Sequence, residues 1–364
     1  MRKLRNIGLM MAAGTLVLTA CGGSGSSDDT ASGDASAASN DVCKTADGDG
    51  PKIGLAYDVG GRGDKSFNDS AYAGIEKAVD ELDATCSEAE AQPNESDTER
   101  EERLRALADA GFNPVIGVGF SYSPAAAAVA KDYPDTYFAV VDGYATALAQ
   151  DSNLIDLSFA ANQGSYLVGV AAALKSESGK IGFIGGNNGN LIRNFEVGYV
   201  AGAKAVDPKI DVDVQYLTRD QNDGETAFAN PAGAKTAAEG MIEKGVDVIF
   251  HAAGKSGNGL FEAVADAPEG VWAIGVDSDQ YLSASADEQS HILTSMLKRV
   301  DTGVFDFSKS VADGNVDGPV VTYDLSDDGV GYSTSGGFLD DVKDEIDGYA
   351  DKIKSGDVKV PSAS

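Results

Sequence analysis

The chain has 364 residues, 42% of them hydrophobic and 24% charged, which is the make-up of packed domains and excludes disorder throughout. Asp and Glu number 58 against 28 Lys and Arg, a formal charge of −30. Such a surface repels nucleic-acid backbones and anionic membranes, so a sequence-independent binder of either is excluded.

The first element in the chain is an address. Arg2, Lys3 and Arg5 precede an apolar stretch from Ile7 to Ala20, too short to span a bilayer comfortably and built like a secretory signal over residues 1–20. It ends Leu18-Thr19-Ala20-Cys21, small residues before a cysteine, as in a bacterial lipobox. Cleavage before Cys21 and acylation of that residue are expected, and each buried CH₂ adds roughly 0.8 kcal/mol of membrane affinity. An ordinary signal peptide with a chance cysteine is the alternative. Residues 21–50 are rich in Gly, Ser, Ala and Asp and read as a lipidated flexible tether. Cys43 and Cys86 would both lie outside the cytoplasm, where a disulfide between them is chemically allowed if the geometry permits.

From Lys52 onward strand and helix alternate. Lys52–Asp58, Pro114–Gly119, Tyr137–Asp142, Lys180–Gly185, Val246–Ala252 and Val271–Asp277 read as buried strands. Ser66–Leu82, Pro124–Asp132, Gln163–Lys175, Asn194–Val206, Pro231–Lys244 and Gly257–Ala267 carry helical periodicity, and His291–Met296 reads as a further strand or crossover. This alternation predicts an α/β protein with doubly wound parallel sheets, whose ligands sit beyond the carboxyl ends of the strands.

An internal repeat divides the body in two. Lys52–Gly74 aligns with Lys180–Gly202 at a constant offset of 128, with seven identities in 23 positions. Gly61, Phe67 and Gly74 match Gly189, Phe195 and Gly202, and Ser66 faces Asn194, both residue types that suit helix N-caps. Tyr137–Asp142 resembles Trp272–Asp277, each ending Val-Asp. Two lobes of like topology would present Phe67 and Phe195 to a shared cleft, where the rings could clamp a planar ligand. Each Phe also begins an apolar stripe (Phe67, Ala71, Ile75, Ala78; Phe195, Tyr199, Ala203) and could instead open a core face. Asp58, Asp142 and Asp277 fall at strand ends, where a carboxylate can accept hydrogen bonds from a vicinal diol or simply form a turn. Lys298 could donate to a ligand oxygen or be a solvated surface group.

Enzymatic signatures are weak. Three Cys and two His leave little for a metal or redox centre. No Gly-x-Ser-x-Gly elbow occurs, and Gly185-Gly186-Asn187-Asn188-Gly189 lacks the spacing of a dinucleotide or P-loop fingerprint.

Five stretches together carry a family resemblance: Asp64-Lys65-Ser66-Phe67-Asn68-Asp69, Lys180-Ile181-Gly182-Phe183-Ile184-Gly185-Gly186, Phe195-Glu196-Val197-Gly198-Tyr199, Ala273-Ile274-Gly275-Val276-Asp277-Ser278-Asp279-Gln280, and Thr294-Ser295-Met296-Leu297-Lys298-Arg299-Val300. Over about residues 51–313 the chain resembles the basic membrane protein (BMP) family of lipoproteins, of the purine-nucleoside receptor type within ABC importers. The resemblance implies a type I periplasmic-binding-protein fold, two lobes joined by a three-crossover hinge. It also implies a purine stacked between Phe67 and Phe195, read by Asn68, with the ribose held by Asp142, Asp277 and Lys298 and approached by the backbone at Gly254. Asp58 and Ser66 are neighbours of that site. The segment Arg219–Ala232 is longer than the family pattern. Residues 51–155 with about 280–320 are expected in the first lobe, and 156–279 with about 321–358 in the second. The function expected is capture of a purine nucleoside outside the cell and delivery to an ABC permease and its ATPase. The protein would act as a monomer, anchored by lipid, with no cofactor, metal or nucleic-acid partner. A sugar or signalling-molecule receptor on the same fold, or a ligand sensor, is the alternative.

Overall fold

The computed structural model describes residues 41–363. Signal, lipobox and Cys21 lie outside them. Short apolar runs that end in Gly or Asp become strands, and the amphipathic runs between them become the helices that cover both sheet faces. The first sheet contains β1 (Lys52–Ala56), β2 (Thr85–Ala89), β3 (Val115–Val118), β4 (Phe138–Val141), β5 (Leu154–Phe159) and β11 (Val320–Tyr323). The second contains β6 (Lys180–Asn187), β7 (Asp211–Thr218), β8 (Val248–Ala252), β9 (Trp272–Asp277), β10 (Ile292–Lys298) and β12 (Val330–Tyr332). Their orders, β11-β5-β4-β3-β1-β2 and β12-β10-β9-β8-β6-β7, are the same order written twice. All pairings are parallel except β10 with β12. The strand order reverses beside β1 in one sheet and beside β6 in the other, the place where such sheets open a crevice.

Each sheet buries apolar side chains on both faces. In the first, Ile53, Leu55 and Val141 pack towards helix Phe67–Leu82 and helix Val300–Asp313, while Val115, Phe138 and Val140 pack towards helix Asp97–Asp109 and helix Ser123–Val129. In the second, Phe183 and Phe250 meet helix Ala161–Lys175 and helix Asn190–Val206, while Ile184 and Ile249 meet helix Pro231–Glu243 and helix Asn258–Ala265. Double coverage is why the strands read as continuous apolar runs.

The chain passes between the lobes three times, after β5, after β10 and between β11 and β12. These passages move the expected boundaries. Strand β10 lies within 280–320 yet pairs with β9 in the second sheet, and the first lobe resumes with helix Val300–Asp313. Strand β11 pairs with β5 of the first sheet, so 320–323 belongs there as well. Helix Asn190–Val206 begins four residues before Asn194, which therefore is not its N-cap; Gly189 is. Ser66 does occupy an N-cap position, but its hydroxyl makes no capping bond. Cys43 and Cys86 are bonded, which ties the segment before β1 to the edge strand β2. Among the described residues no helix is long and apolar enough to cross a membrane.

Candidate functional site

Residues at or beyond the carboxyl ends of β1, β3 and β4 in the first lobe and of β6 to β10 in the second line a single cleft. Parallel strands run with their carboxyl ends together, so one turn residue from each strand reaches the same place. Asp58, Phe67, Asn68, Asp142, Phe195, Gly254, Asp277 and Lys298 all line it. Ser66 stands behind it, bonded to Asp277.

Asp142 and Asp277 terminate corresponding strands, and both adopt the left-handed conformation, with φ of 57° and 63°. A non-glycine residue there is uncommon, and such conformations cluster at functional sites. Lys298, 2% exposed, ends β10 between the two carboxylates. Its Nζ lies 2.5 Å from Asp142 Oδ2 and 3.5 Å from Asp277 Oδ1. Burial opposes the charge on Lys298, but the two acids outweigh it and hold the ammonium above its ordinary range. The same Nζ lies 4.5 Å from the centre of the Phe67 ring, 5.5 Å from that of Phe159 and 5.6 Å from that of Phe195, within cation–π range of all three. The two rings singled out by the repeat therefore flank one ammonium. Phe195 belongs to the core as well, at 3% exposure, so the two readings of its stripe coexist.

Each aspartate is held from the opposite lobe. Asp142 takes Lys298, and Asp277 Oδ2 accepts a 2.8 Å hydrogen bond from Ser66 Oγ. Ser278 Oγ returns a bond of 3.0 Å to Ser66 O. Asp277 Oδ1 accepts no hydrogen bond from the described residues. Asn68 is largely occupied: its Oδ1 accepts the Asp58 N–H at 3.0 Å, and its Nδ2 donates to Asp64 Oδ2 at 3.0 Å. Asp58 Oδ1 accepts the Val59 N–H at 2.8 Å, and burial pushes the Asp58 carboxyl up to about 7.

Sequence reasoning missed several residues. Asp64, 1% exposed, accepts the N–H groups of Ser66, Asn68 and Asp69 and so caps helix Phe67–Leu82 in place of Ser66. An acid just ahead of an amphipathic run was its available signal. Phe120, directly after Gly119, and Phe228 also line the cleft, and they meet edge to face across the lobes with ring centres 6.4 Å apart. Phe228 lies in the long segment Arg219–Ala232, where no periodicity marks it. Leu191 and Ile192, in the first turn of their helix, add apolar wall.

The arrangement combines aromatic walls from both lobes with an ionic cluster between Phe67 and Phe195. It can hold a flat apolar body and a group bearing hydroxyls. The Bmp family model, described as ABC transporter substrate-binding protein PnrA-like, matches residues 52–364. A CD4+ T-cell-stimulating antigen of Listeria innocua is 35% identical, over 97% of this chain and 96% of that protein. An ABC transporter nucleoside-binding protein, BmpA of Lactococcus lactis subsp. cremoris, is 34% identical over 85% of this chain and 89% of its own. A solved ABC-transporter solute-binding protein from Aeropyrum pernix K1 superposes with a TM-score of 0.71 at 26% identity, covering 85% of this chain and 94% of that one.

Proposed function

Because the chain belongs to the Bmp family of PnrA-like ABC transporter substrate-binding proteins, and is thus a solute-binding protein rather than an enzyme, we propose that its solute is a purine nucleoside. The observation that carries this reading is the meeting, in one cleft, of aromatic walls and a buried ionic cluster. Phe67, Phe120, Phe195 and Phe228 supply aromatic surface from both lobes, suited to a planar base. Stacking on one such ring is worth about 1–3 kcal/mol. Beside Phe67 and Phe195, Asp142, Lys298 and Asp277 offer acceptors and a donor to ribose hydroxyls; Asp277 Oδ1, 3.5 Å from Lys298 Nζ, accepts no hydrogen bond from the described residues. A sugar alone would leave much of the aromatic wall unmatched. The nucleoside-binding relative from Lactococcus lactis supports the same reading.

Four aspartates, Asp58, Asp64, Asp142 and Asp277, line the cleft beside Lys298. A phosphate ester would meet this acid excess in a low-dielectric space, so nucleotides should be refused. Capture proceeds by hinge closure over the ligand, and the closed form docks on an ABC permease whose ATPase drives import. The chain is held at the membrane by lipid on Cys21.

A thermal-shift panel of nucleosides, free bases, sugars, amino acids and nucleoside monophosphates tests the ligand. A nucleoside at 100 times its dissociation constant should stabilise the protein by about 2.7 kcal/mol, with little response to monophosphates. Stabilisation by a sugar or amino acid but by no nucleoside would overturn the reading. Membrane retention of a Cys21→Ala variant would remove the anchor.

A further inference from the structure

Behind the cleft, between the carboxyl ends of β8 and β9 and the middle of β10, lies a polar network with no exposure. His251, Gln280 and Ser295 are each 0% exposed, and none lines the cleft. Gln280 Oε1 accepts two bonds, from the Val276 N–H at 2.8 Å and from His251 Nε2 at 3.0 Å. The Gln280 N–H donates to Ser295 Oγ at 3.1 Å, on the neighbouring strand. The turn thus held, Val276 to Gln280, is the one that carries Asp277 in its left-handed conformation.

The proton positions follow from the backbone. The Val276 N–H can only donate, so the Gln280 atom facing it is the carbonyl oxygen. An oxygen that accepts from His251 requires the proton on Nε2. The ring is neutral, because burial pushes His251 down to about 4. Space is kept for both side chains: a Cβ at Gly257 would stand 1.9 Å from the His251 ring, and one at Gly275 would stand 2.8 Å from Gln280 Oε1.

Burying an imidazole and a carboxamide here is costly, since His251 Nδ1 and Gln280 Nε2 find no partner among the described residues. An apolar pair would fill the space without that cost but would leave the Val276 N–H unbonded. We propose that Gln280 and His251 are positioning residues for Asp277: by pinning the turn at Val276 they aim the carboxylate at the ligand's hydroxyls and so set the preference for a ribonucleoside over its free base. This rests on the nucleoside reading of the cleft.

The test is titration calorimetry of the whole chain with adenosine and with adenine. Wild type, Asp277→Asn, Gln280→Leu, His251→Leu and His251→Gln are compared, each with its melting temperature. Gln280→Leu should weaken adenosine about tenfold, the worth of roughly one hydrogen bond, and leave adenine within about twofold. His251→Leu should move the ratio the same way, and His251→Gln, which keeps an N–H donor, should restore it. In an Asp277→Asn background neither leucine variant should change the ratio further. An unchanged ratio, or equal losses for adenosine and adenine, overturns the positioning role. Should Gln280→Leu fail to fold, the His251 variants decide by the same ratio. Wild-type protein that takes adenine but not adenosine, or neither, fails the nucleoside reading itself, whereas a wild type that prefers adenosine and variants that share its preference fail this inference alone.

Discussion

The two lobes share a strand order and place an aspartate at the same strand end in the same unusual conformation, yet the two aspartates live differently. Asp142 accepts its hydrogen bond from a charged partner, Lys298, and Asp277 accepts its own from a neutral one, Ser66, with the Lys298 ammonium 3.5 Å from its other oxygen; both hydrogen bonds cross the lobes. The repeat fixes where a carboxylate stands, and the partner decides what it does. Asp142 is bound into an ion pair that joins the lobes. Asp277 keeps Oδ1 clear of hydrogen bonds from the described residues and has the buried Gln280 turn behind it. One scaffold position thus has two settings, an acid bonded to an ammonium and an acid bonded to a hydroxyl.

The strongest way to break this comparison is to remove the charge that distinguishes the partners. Deleting one member of a buried ionic group costs about 3–5 kcal/mol, because the remaining charge stays buried and unpaired. Lys298→Met leaves Asp142 and Asp277 facing each other in that state, so urea denaturation of the empty protein should show a loss of this size, and nucleoside binding should disappear. Ser66→Ala removes one neutral hydrogen-bond donor and should cost about 1 kcal/mol. Equal losses in the two variants would erase the distinction between the aspartates.

A second asymmetry is covalent. The first lobe carries the Cys43–Cys86 bond on its edge strand β2, whereas the second lobe's edge strand β7 contains no cysteine. Closing a loop of this size restricts the unfolded chain, and its loss typically costs about 2–4 kcal/mol. Cys43→Ser should therefore lower the unfolding free energy from urea denaturation by that amount while nucleoside affinity stays within about twofold. A large loss of affinity would mean that the bond shapes the cleft. The rings come next in size. Phe67→Ala and Phe195→Ala should each weaken nucleoside binding by about 1–3 kcal/mol in calorimetric titration, and similar values from the two lobes would sharpen the equivalence that the repeat suggests.

The repeat and the strand ends were legible because they are local. A buried parallel strand must be a short apolar run, and its last residue must turn, so Asp142, Asp277 and Gly254 mark themselves in the sequence. Strands β2, β5 and β7 escaped for physical reasons. Edge strands β2 (Thr85–Ala89) and β7 (Asp211–Thr218) are only half covered and carry polar residues along their length. Central strand β5 contains Asp156, which breaks its apolar run; the acid is buried because it accepts bonds from the Ala145 and Thr146 N–H groups and from Thr146 Oγ1. Which lobe claims β10 depends on pairing between strands, and no local pattern contains that. The same holds for Phe228, brought to Phe120 by the closing of one lobe on the other, and for Ser66, whose hydroxyl turns from its own helix to an acid 211 residues away.

The subtlest difference between the lobes is a proton. β1 runs into Asp58, while the position aligned with it, within β6, is Gly186, so at this place one lobe brings a buried carboxyl and the other none. Burial pushes Asp58 up to about 7 against the pull of Arg100. The folded protein therefore holds a proton that the unfolded chain has already released near the ordinary value of 3.8, and the stability this confers is lost as pH rises through about 7. His251 has the opposite sign: with its pKa lowered to about 4, its contribution is present above 6.5 and is lost as pH falls. Asp64, raised to about 6, has largely finished titrating before pH 7. Between about pH 6.5 and 8 the tails of the His251 and Asp64 titrations are common to both proteins, so the difference between them isolates Asp58: wild type should lose about 1 kcal/mol relative to Asp58→Asn. Scanning calorimetry of both proteins at three pH values across this window measures it. Parallel profiles would place the titrating group elsewhere, whereas a gap that opens between them as pH rises through about 7 would show that Asp58 carries the proton.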